Sequence, residues 1–213
     1  MTKRVTIIDY GIGNLYSVRR AVEVCGDVEI HVSDRPEDIV NSDKIILPGV
    51  GAFEDGMNGL RERGLIPHFT EVARAGRPLL GICLGMQLLS TTSEEFGMHL
   101  GLDLIPGDVK SLARTGIDGE PLKVPFIGWS SLILNAIHPK QDSCLKHANG
   151  KSVYLVHSYQ VHPKNNAHVL ASYSMGGRMI TAAVRNNNIT GLQFHPEKSG
   201  AVGLKIMQEF LNT

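Results

Sequence analysis

The chain has 213 residues, of which 42% are hydrophobic and 20% are charged. This is long and apolar enough to bury a full core, so we expect one globular domain over residues 1–213. The 21 basic and 21 acidic side chains balance, which argues against the phosphate-collecting surface of a nucleic-acid-binding protein. No apolar run reaches the length of a membrane span, and the N-terminal apolar stretch is too short for a secretory leader.

The three cysteines, Cys25, Cys83 and Cys144, are odd in number and show no C-x-x-C spacing. This pattern is typical of the reducing cytoplasm and not of a disulfide framework or a zinc site. We therefore expect a cytoplasmic protein with no metal and no other cofactor.

The first half of the chain alternates short apolar strands with helical patterns. Strands are predicted over residues 5–9, 28–32, 44–47 and 78–83, and helices over 15–25, 65–75 and from 86 onward. The strand at 78–83 shows no polar alternation, which is typical of a parallel strand covered by helices on both faces. The second half predicts strands at 153–157, 169–173, 180–184 and 192–195 and a last helix at 201–211. We expect an α/β fold, with a doubly wound, mostly parallel sheet flanked by helices and an added antiparallel, strand-rich portion in the second half.

The sequence Gly81-Ile82-Cys83-Leu84-Gly85 has the G-x-nucleophile-x-G form of a nucleophile elbow. Glycines on both sides permit an abrupt strand-to-helix turn. The helix N-terminus would favour the Cys83 thiolate, and the N–H of Leu84 would face an oxyanion formed beside the sulfur. The alternative is a buried core cysteine.

His195-Pro196-Glu197 offers a base and a group to orient it. Proline pushes the residue before it into extended conformations, and residues two apart in an extended chain face the same way. The predicted strand ends at His195, where active groups of open α/β sheets gather. The alternatives are a strand-end histidine bonded to backbone and a solvated Glu197. We interpret His157 and His162 as a strand end and a loop, not as a metal site.

Two glycine loops begin like dinucleotide-binding fingerprints. The fingerprint requires a third glycine three residues after the second one. That position is Tyr16 in the loop that begins Gly11-Ile12-Gly13, and Glu54 in the loop that begins Gly49-Val50-Gly51. Nucleotide binding is therefore disfavoured. The second loop instead offers a backbone N–H that could turn toward an oxyanion beside Cys83.

Six motifs along the chain resemble those of the class I (triad) glutamine amidotransferases, and they occur in the same order. The resemblance is closer still to the glutaminase-subunit family of imidazole glycerol phosphate synthase. The motifs occupy residues 9–15, 47–53, 81–89, 127–129, 156–159 and 193–199.

The resemblance implies that Cys83 attacks the side-chain amide of glutamine, that His195 transfers the proton, and that Glu197 orients His195. It implies oxyanion contacts from Leu84 and from the backbone of Gly49, Val50 and Gly51. It also places Gln87, Glu95, Ser158 and Tyr159 around the substrate. The alternatives are solvated helix and turn positions for Gln87 and Glu95 and a core position for Tyr159.

The resemblance further implies a heterodimer with a (βα)₈-barrel cyclase subunit, which receives the ammonia through a protein channel and makes imidazole glycerol phosphate and an aminoimidazole carboxamide ribonucleotide. It places Asn14, Trp129 and Lys198 near that interface. For Trp129, the alternative is a core position.

Other functions remain open from the sequence. Phe126 and Ser130 depart from the residues that the synthase family more often shows, so a paralogous glutaminase that serves a surface-sugar amidotransferase is an alternative. A cysteine peptidase or amidase is a second alternative, although Cys83 lacks a papain-type signature. The third is a non-catalytic binding module with a structural Cys83, which would give no reason for His195-Pro196-Glu197.

Overall fold

A computed structural model describes residues 2–136 and 144–213. The strands are β1 (Arg4–Ile8), β2 (Glu29–Ser33), β3 (Lys44–Gly49), β4 (Leu79–Cys83), β5 (Thr92–Ser93), β6 (His99–Leu100), β7 (Gly107–Ser111), β8 (Phe126–Ser131), β9 (Ile133–Leu134), β10 (Ser152–His157), β11 (Tyr159–Pro163), β12 (Val169–Met175), β13 (Arg178–Asn186) and β14 (Ile189–Leu192). The helices are α1 (Leu15–Cys25), α2 (Pro36–Val40), α3 (Phe53–Glu62), α4 (Ile66–Arg74), α5 (Leu84–Leu88) and α6 (Gly200–Asn212), with 3₁₀ turns at Asn166–His168 and Pro196–Lys198.

The central sheet has eight strands in the order β2-β1-β3-β4-β14-β13-β12-β9. The strands from β2 to β14 pair in parallel, and β13, β12 and β9 continue the sheet antiparallel. One apolar cluster includes residues of α1 and α6, and a second includes residues of α3 and α4. This arrangement confirms the predicted parallel α/β sheet with an antiparallel addition.

Two smaller sheets complete the described strands. The order β11-β7-β5-β6 forms one sheet, and β8 and β10 form an antiparallel pair. In that pair, β8 alternates between half-buried and exposed residues, so one of its faces is open to solvent. The sequence predicted β10 but neither the second sheet nor β8, because strands of two to six residues with mixed polarity carry a weak pattern.

The predicted helix after Cys83 is shorter than expected. It ends at Leu88, because the backbone carbonyls of Leu88 and Leu89 accept hydrogen bonds from Leu102, Leu104 and Ile105 at 2.8–2.9 Å instead of continuing the helix. The predicted strand at 192–195 is also wrong at its end, since β14 stops at Leu192. There the chain leaves the sheet, and the N–H of His195 donates to the carbonyl of Tyr154 at 3.0 Å.

Helix α3 was not predicted, since Gly56 and Gly59 interrupt its apolar pattern. Both glycines serve packing: a Cβ on Gly56 would approach the side chain of Leu88 at 3.1 Å, and one on Gly59 would collide with the backbone carbonyl of Tyr10. Across residues 2–136 and 144–213, no helix is both long and apolar enough to cross a membrane.

Candidate active site

Cys83 stands at the junction of β4 and α5 in a strained conformation. Its φ of 55° and ψ of −112° lie in a region that non-glycine residues rarely adopt. The flanking glycines make the turn possible, because a Cβ on Gly81 would lie 2.7 Å from the carbonyl oxygen of Gly85 and one on Gly85 would collide with the carbonyl of Leu47. The segment therefore has the geometry of a nucleophile elbow.

The carboxyl ends of three neighbouring parallel strands bring the predicted site together. Gly49, the last residue of β3, pairs with Cys83, and Leu192, the last residue of β14, pairs with Ile82. His195 follows three residues after β14. The loop after β3, the elbow and the His195 segment thus meet at the same edge of the sheet, as expected for an open α/β sheet.

His195 and Glu197 form a buried pair. Nδ1 of His195 donates to Oε1 of Glu197 at 2.8 Å, and their side chains are 3% and 1% exposed. This contact fixes the imidazole ring and directs Nε2 away from Glu197. Pro196 begins the 3₁₀ turn that holds the pair, and the Ser199 hydroxyl donates to the backbone carbonyl of His195 at 2.6 Å.

The environment of His195 favours its protonated form. Burial alone would lower its pKa, but hydrogen bonding and charge from Cys83 and Glu197 outweigh burial and raise the pKa to about 9. Nε2 is buried and has no well-aligned hydrogen-bond partner among the described residues, and Cys83 lines the same cavity as His195. An imidazolium beside a thiolate is the resting arrangement expected of an activated cysteine.

Cys83, His195 and ten other residues line a cavity of about 250 Å³. The lining includes all four residues predicted to contact the substrate, Gln87, Glu95, Ser158 and Tyr159, together with Val50, Gly51 and Leu84 from the predicted oxyanion group. Sites for drug-sized ligands span roughly 300–1,000 Å³. The cavity is therefore of a size that suits a single small molecule.

Gln87 and Glu95 are buried, which excludes the solvated positions considered from the sequence. Oε2 of Glu95 accepts from the backbone N–H of Phe53 at 2.8 Å. Burial raises the pKa of Glu95, while this hydrogen bond opposes the shift. Tyr159 and Ser158 are half-buried at the junction of β10 and β11.

Tyr10 supports the backbone segment at Gly49–Gly51 that is predicted to stabilise the oxyanion. The hydroxyl of this buried tyrosine donates to the carbonyl of Pro48 at 2.7 Å. A Cβ on Gly49 would collide with the Tyr10 hydroxyl and lie 2.9 Å from Cβ of Leu84. Burial, reinforced by the nearby Cys83, raises the pKa of Tyr10, so its hydroxyl stays a donor. This contact could not be predicted from the sequence, since only the position of Tyr10 after β1 pointed to the site.

His157 is a second buried histidine beside the site. Nδ1 lies 2.7 Å from the carbonyl of Tyr159, and Nε2 lies 2.9 Å from the hydroxyl of Tyr173. Burial lowers the pKa of His157 to about 4, so the ring is neutral, with Nδ1 as donor and Nε2 as acceptor. The contact between His157 and Tyr173 could not be predicted from spacing, because the two residues are 16 positions apart in the sequence.

The residues predicted near a partner lie outside the cavity. Asn14 caps α1, and its side chain accepts from the N–H of Ser17 at 3.2 Å. Lys198 is exposed in the 3₁₀ turn after His195. Trp129 is 56% exposed on β8, so the core position is wrong for it.

Trp129 is connected to the site through Tyr154, which the sequence analysis did not single out. The ring of Tyr154 lies 5.9 Å from that of Trp129 and 6.5 Å from that of His195. The pairing of Tyr154 with Trp129 across β10 and β8 places both rings together.

Phe126 and Ser130 are the two positions that differ from the residues the synthase family more often shows. Both are half-buried, whereas Trp129 on the same strand is exposed. Phe126 is half-buried and packs against the rings of Tyr173 at 5.0 Å and His157 at 6.3 Å. Ser130 is half-buried opposite Val153.

Comparison with known proteins shows the family to which the chain belongs. The family model described as glutamine amidotransferase class-I matches residues 6–212. A protein of Legionella pneumophila (strain Paris) named imidazole glycerol phosphate synthase subunit HisH 1 is 47% identical over 211 residues, covering 97% of this chain and 98% of the relative. A protein of Geobacter sulfurreducens named imidazole glycerol phosphate synthase subunit HisH is 45% identical over 213 residues, covering 99% and 98%.

Solved structures share the fold at lower identity. PurLQS from Thermotoga maritima superposes with a TM-score of 0.73 at 21% identity, over 100% of this chain and 99% of that chain. The glutaminase domain of Trypanosoma brucei CTPS with bound acivicin superposes with a TM-score of 0.64 at 19% identity, over 100% and 95%. The chain belongs to the class I glutamine amidotransferase family, and it is an enzyme subunit.

Proposed function

We propose that this chain is the glutaminase subunit of an imidazole glycerol phosphate synthase, which hydrolyses glutamine and supplies ammonia for histidine biosynthesis. The observation that carries the proposal is the strained Cys83 facing a buried His195–Glu197 pair in a cavity of about 250 Å³. The identity of 45–47% to relatives with that name supports the pathway.

The reaction begins with attack by the Cys83 thiolate on the side-chain carbonyl carbon of glutamine. A C–S bond forms and the carbonyl becomes an oxyanion. When the oxyanion collapses, the C–N bond breaks, and the imidazolium Nε2 of His195 gives its proton to the leaving nitrogen. Ammonia and a γ-glutamyl thioester result. His195 then takes a proton from water, which attacks the thioester and releases glutamate and the Cys83 thiolate.

Each neighbouring group has a separate task in these steps. Glu197 accepts from Nδ1 and keeps Nε2 directed toward the reacting atoms. The backbone N–H of Leu84 and the backbone of Gly49, Val50 and Gly51 stabilise the oxyanion. The carboxylate of Glu95 attracts the α-ammonium of glutamine, and Gln87, Ser158 and Tyr159 complete the polar contacts that a buried amino acid requires.

The ammonia passes to a (βα)₈-barrel cyclase subunit in a heterodimer. Released into water at neutral pH, ammonia would become ammonium, which is not a nucleophile, so direct transfer has a chemical reason. The cyclase adds the nitrogen to a phosphoribulosyl-formimino-carboxamide ribonucleotide and forms imidazole glycerol phosphate and an aminoimidazole carboxamide ribonucleotide. The docking surface for the cyclase lies around the opening of the active-site cavity. It consists of the exposed Trp129 and Lys198 and the loop that contains Asn14.

We further propose that residues 1–213 act as one glutaminase domain in the cytoplasm. No disulfide joins Cys25, Cys83 and Cys144 in the part of the chain that the structure describes, which supports a reducing compartment. The 45–47% identity to relatives named as synthase subunits favours this assignment over the surface-sugar, peptidase and binding-module alternatives. Phe126 is the half-buried first residue of β8 and lies on the opposite face of the strand from the exposed Trp129.

The test is glutamate release from glutamine, measured with and without the cyclase subunit of the same organism and its ribonucleotide ligand. Strong stimulation by both components supports the assignment. Unchanged low activity contradicts the cyclase as partner.

Cys83→Ala provides the control. This variant should lose glutamine hydrolysis but keep synthesis from added ammonium salts in the complex. Loss of both activities in a folded variant contradicts separate chemical sites.

A further inference from the structure

Gln193 is a fully buried polar residue beside the nucleophile. It follows β14 directly, and its backbone N–H donates to the carbonyl of Ala182 at 2.8 Å. Because Leu192 pairs with Ile82, the next residues of the two strands, Gln193 and Cys83, lie side by side. A buried amide in this position must find partners for both its oxygen and its nitrogen.

The hydrogen bonds around Gln193 have only one consistent direction. Nε2 of Gln87 donates to the carbonyl of Tyr159 at 3.2 Å and to Oε1 of Gln193 at 3.0 Å. Since the Tyr159 carbonyl can only accept, the nitrogen of Gln87 must face it, and the oxygen of Gln193 must face Gln87. The remaining end of Gln193, Nε2, then points to Sγ of Cys83 at 3.8 Å.

We infer that Gln193 donates a hydrogen bond to the Cys83 thiolate and thereby stabilises the charged nucleophile opposite His195. The inference rests on the proposed nucleophilic role of Cys83, but not on glutamine being the substrate. A buried sulfur anion needs donors to replace water. The carbonyl of Val156, 4.0 Å from Sγ, can only accept, so it pairs with the protonated thiol and offers no hydrogen to the thiolate. The N–H of Gln193 is the donor that favours the anion.

The same chain of hydrogen bonds connects the nucleophile with the substrate subsite. Both hydrogens of Gln87 Nε2 are engaged by Tyr159 and Gln193, so its Oε1 is the atom that can contact a ligand, as an acceptor.

The experiment measures alkylation of Cys83 by iodoacetamide as a function of pH, with mass spectrometry of the Cys83 peptide to exclude Cys25 and Cys144. In this reaction the thiolate forms a C–S bond, and iodide leaves. In Gln193→Met, which keeps the volume but removes the donor, the pH of half-maximal alkylation should rise by about one unit, a tenfold lower thiolate-to-thiol ratio at a given pH. The plateau at high pH should remain.

The matched control is Gln160→Met, since Gln160 is a buried glutamine on β11 that does not line the cavity; its profile should follow that of the native chain. The titratable groups around the sulfur stay unchanged in both variants. They are His195 with Glu197 behind it, Tyr10 from the loop after β1, and Glu95 and His157 across the cavity.

A second variant and a measurement on the native chain keep the inference testable if Gln193→Met does not fold. Gln193→Glu keeps the acceptor for Gln87 but places an oxygen against sulfur, so its profile should move further in the same direction. In the native chain, the side-chain amide resonances of Gln193 should follow the alkylation profile. Profiles that coincide with the native one, or an amide insensitive to pH, overturn the inference. If the native chain with its cyclase subunit does not hydrolyse glutamine while both shifts are observed, the proposed substrate is contradicted and the role of Gln193 is not.

Discussion

At the scale of single residues, the protonation of His195 depends on its two neighbours, Cys83 and Glu197. Burial disfavours the imidazolium, and hydrogen bonding and charge from these neighbours outweigh burial and raise the pKa of His195 to about 9. The raised pKa means that His195 contributes stability fully below its ordinary pKa of about 6.5. This contribution is lost as the pH rises through about 9.

Cys83→Ser should lower the pKa of His195 from about 9, because the neutral hydroxyl removes the charge of the thiolate while burial remains. The measurement is an NMR titration of the His195 ring. Cys25→Ser is the control, since the sulfur of Cys25 donates to the carbonyl of Leu204, outside the site. An unchanged titration in Cys83→Ser contradicts the thiolate–imidazolium pair.

Tyr10→Phe should destabilise the fold by about 1–3 kcal/mol, because it leaves the buried carbonyl of Pro48 without a donor. It should also lower kcat for glutamine hydrolysis while iodoacetamide still alkylates Cys83, since alkylation forms no oxyanion. Tyr16→Phe, at a residue 75% exposed, is the control. Equal losses in hydrolysis and alkylation contradict a role for Tyr10 in holding the oxyanion backbone.

Residue spacing predicted the His195–Glu197 contact because proline and the extended chain limit where two residues i and i+2 can point. The contacts of Gln193, Tyr10 and His157 could not be predicted in this way. Each depends on which buried polar groups the fold brings together from separate elements, and spacing along the chain carries no information on that.

At the scale of elements, the junction of β4 and α5 holds strain at the nucleophile. The positive φ of Cys83 costs roughly 1–3 kcal/mol for a residue with a Cβ. Cys83→Gly should therefore unfold at a higher denaturant concentration than Cys83→Ala, by about 1 kcal/mol in the free energy of unfolding. Chemical denaturation of the two inactive variants checks this. Equal stabilities contradict a strained elbow.

Gly85→Ala should severely destabilise the chain, because its Cβ would collide with the carbonyl of Leu47 on the neighbouring β3. Gly76→Ala is the control: φ at Gly76 is 69° and no atom lies within 4 Å of the added Cβ, so only the backbone strain of about 1 kcal/mol applies. Denaturation midpoints compare the two. Similar losses would contradict close packing of the elbow against β3.

The main elements of the central sheet were predictable because buried parallel strands have continuous apolar runs and α1 has a clear helical pattern. The early end of α5 and the glycine-containing α3 were not predictable. Both depend on contacts with distant segments, the loop at 101–105 for α5 and Tyr10 for α3.

At the scale of the whole molecule, the site opens beside a surface with exposed apolar side chains on β8. Ile127 and Trp129 are more than half exposed there, and such groups mark interaction surfaces when they adjoin a functional site. The sequence predicted the class of fold but not the order of the central strands. Pairing between strands that are far apart in the sequence depends on tertiary packing.

Trp129→Ala and Lys198→Ala should each weaken association with the cyclase subunit, by about tenfold or more in Kd for the tryptophan, and leave alkylation of Cys83 intact. Val24→Ala is the control, since Val24 is exposed at the end of α1 opposite to its Asn14 cap. Calorimetric titration measures the Kd. Unchanged affinity in both variants contradicts the proposed docking surface.

Covalent labelling by a glutamine-mimicking electrophile, located by peptide mass spectrometry, tests most directly whether Cys83 is an activated nucleophile in a glutamine site. The geometry at Cys83, His195 and Glu197 predicts a label on Cys83 alone, suppressed by added glutamine. Equal labelling of Cys25, Cys83 and Cys144, or labelling of Cys83 that glutamine does not suppress, would contradict an activated nucleophile in a glutamine site.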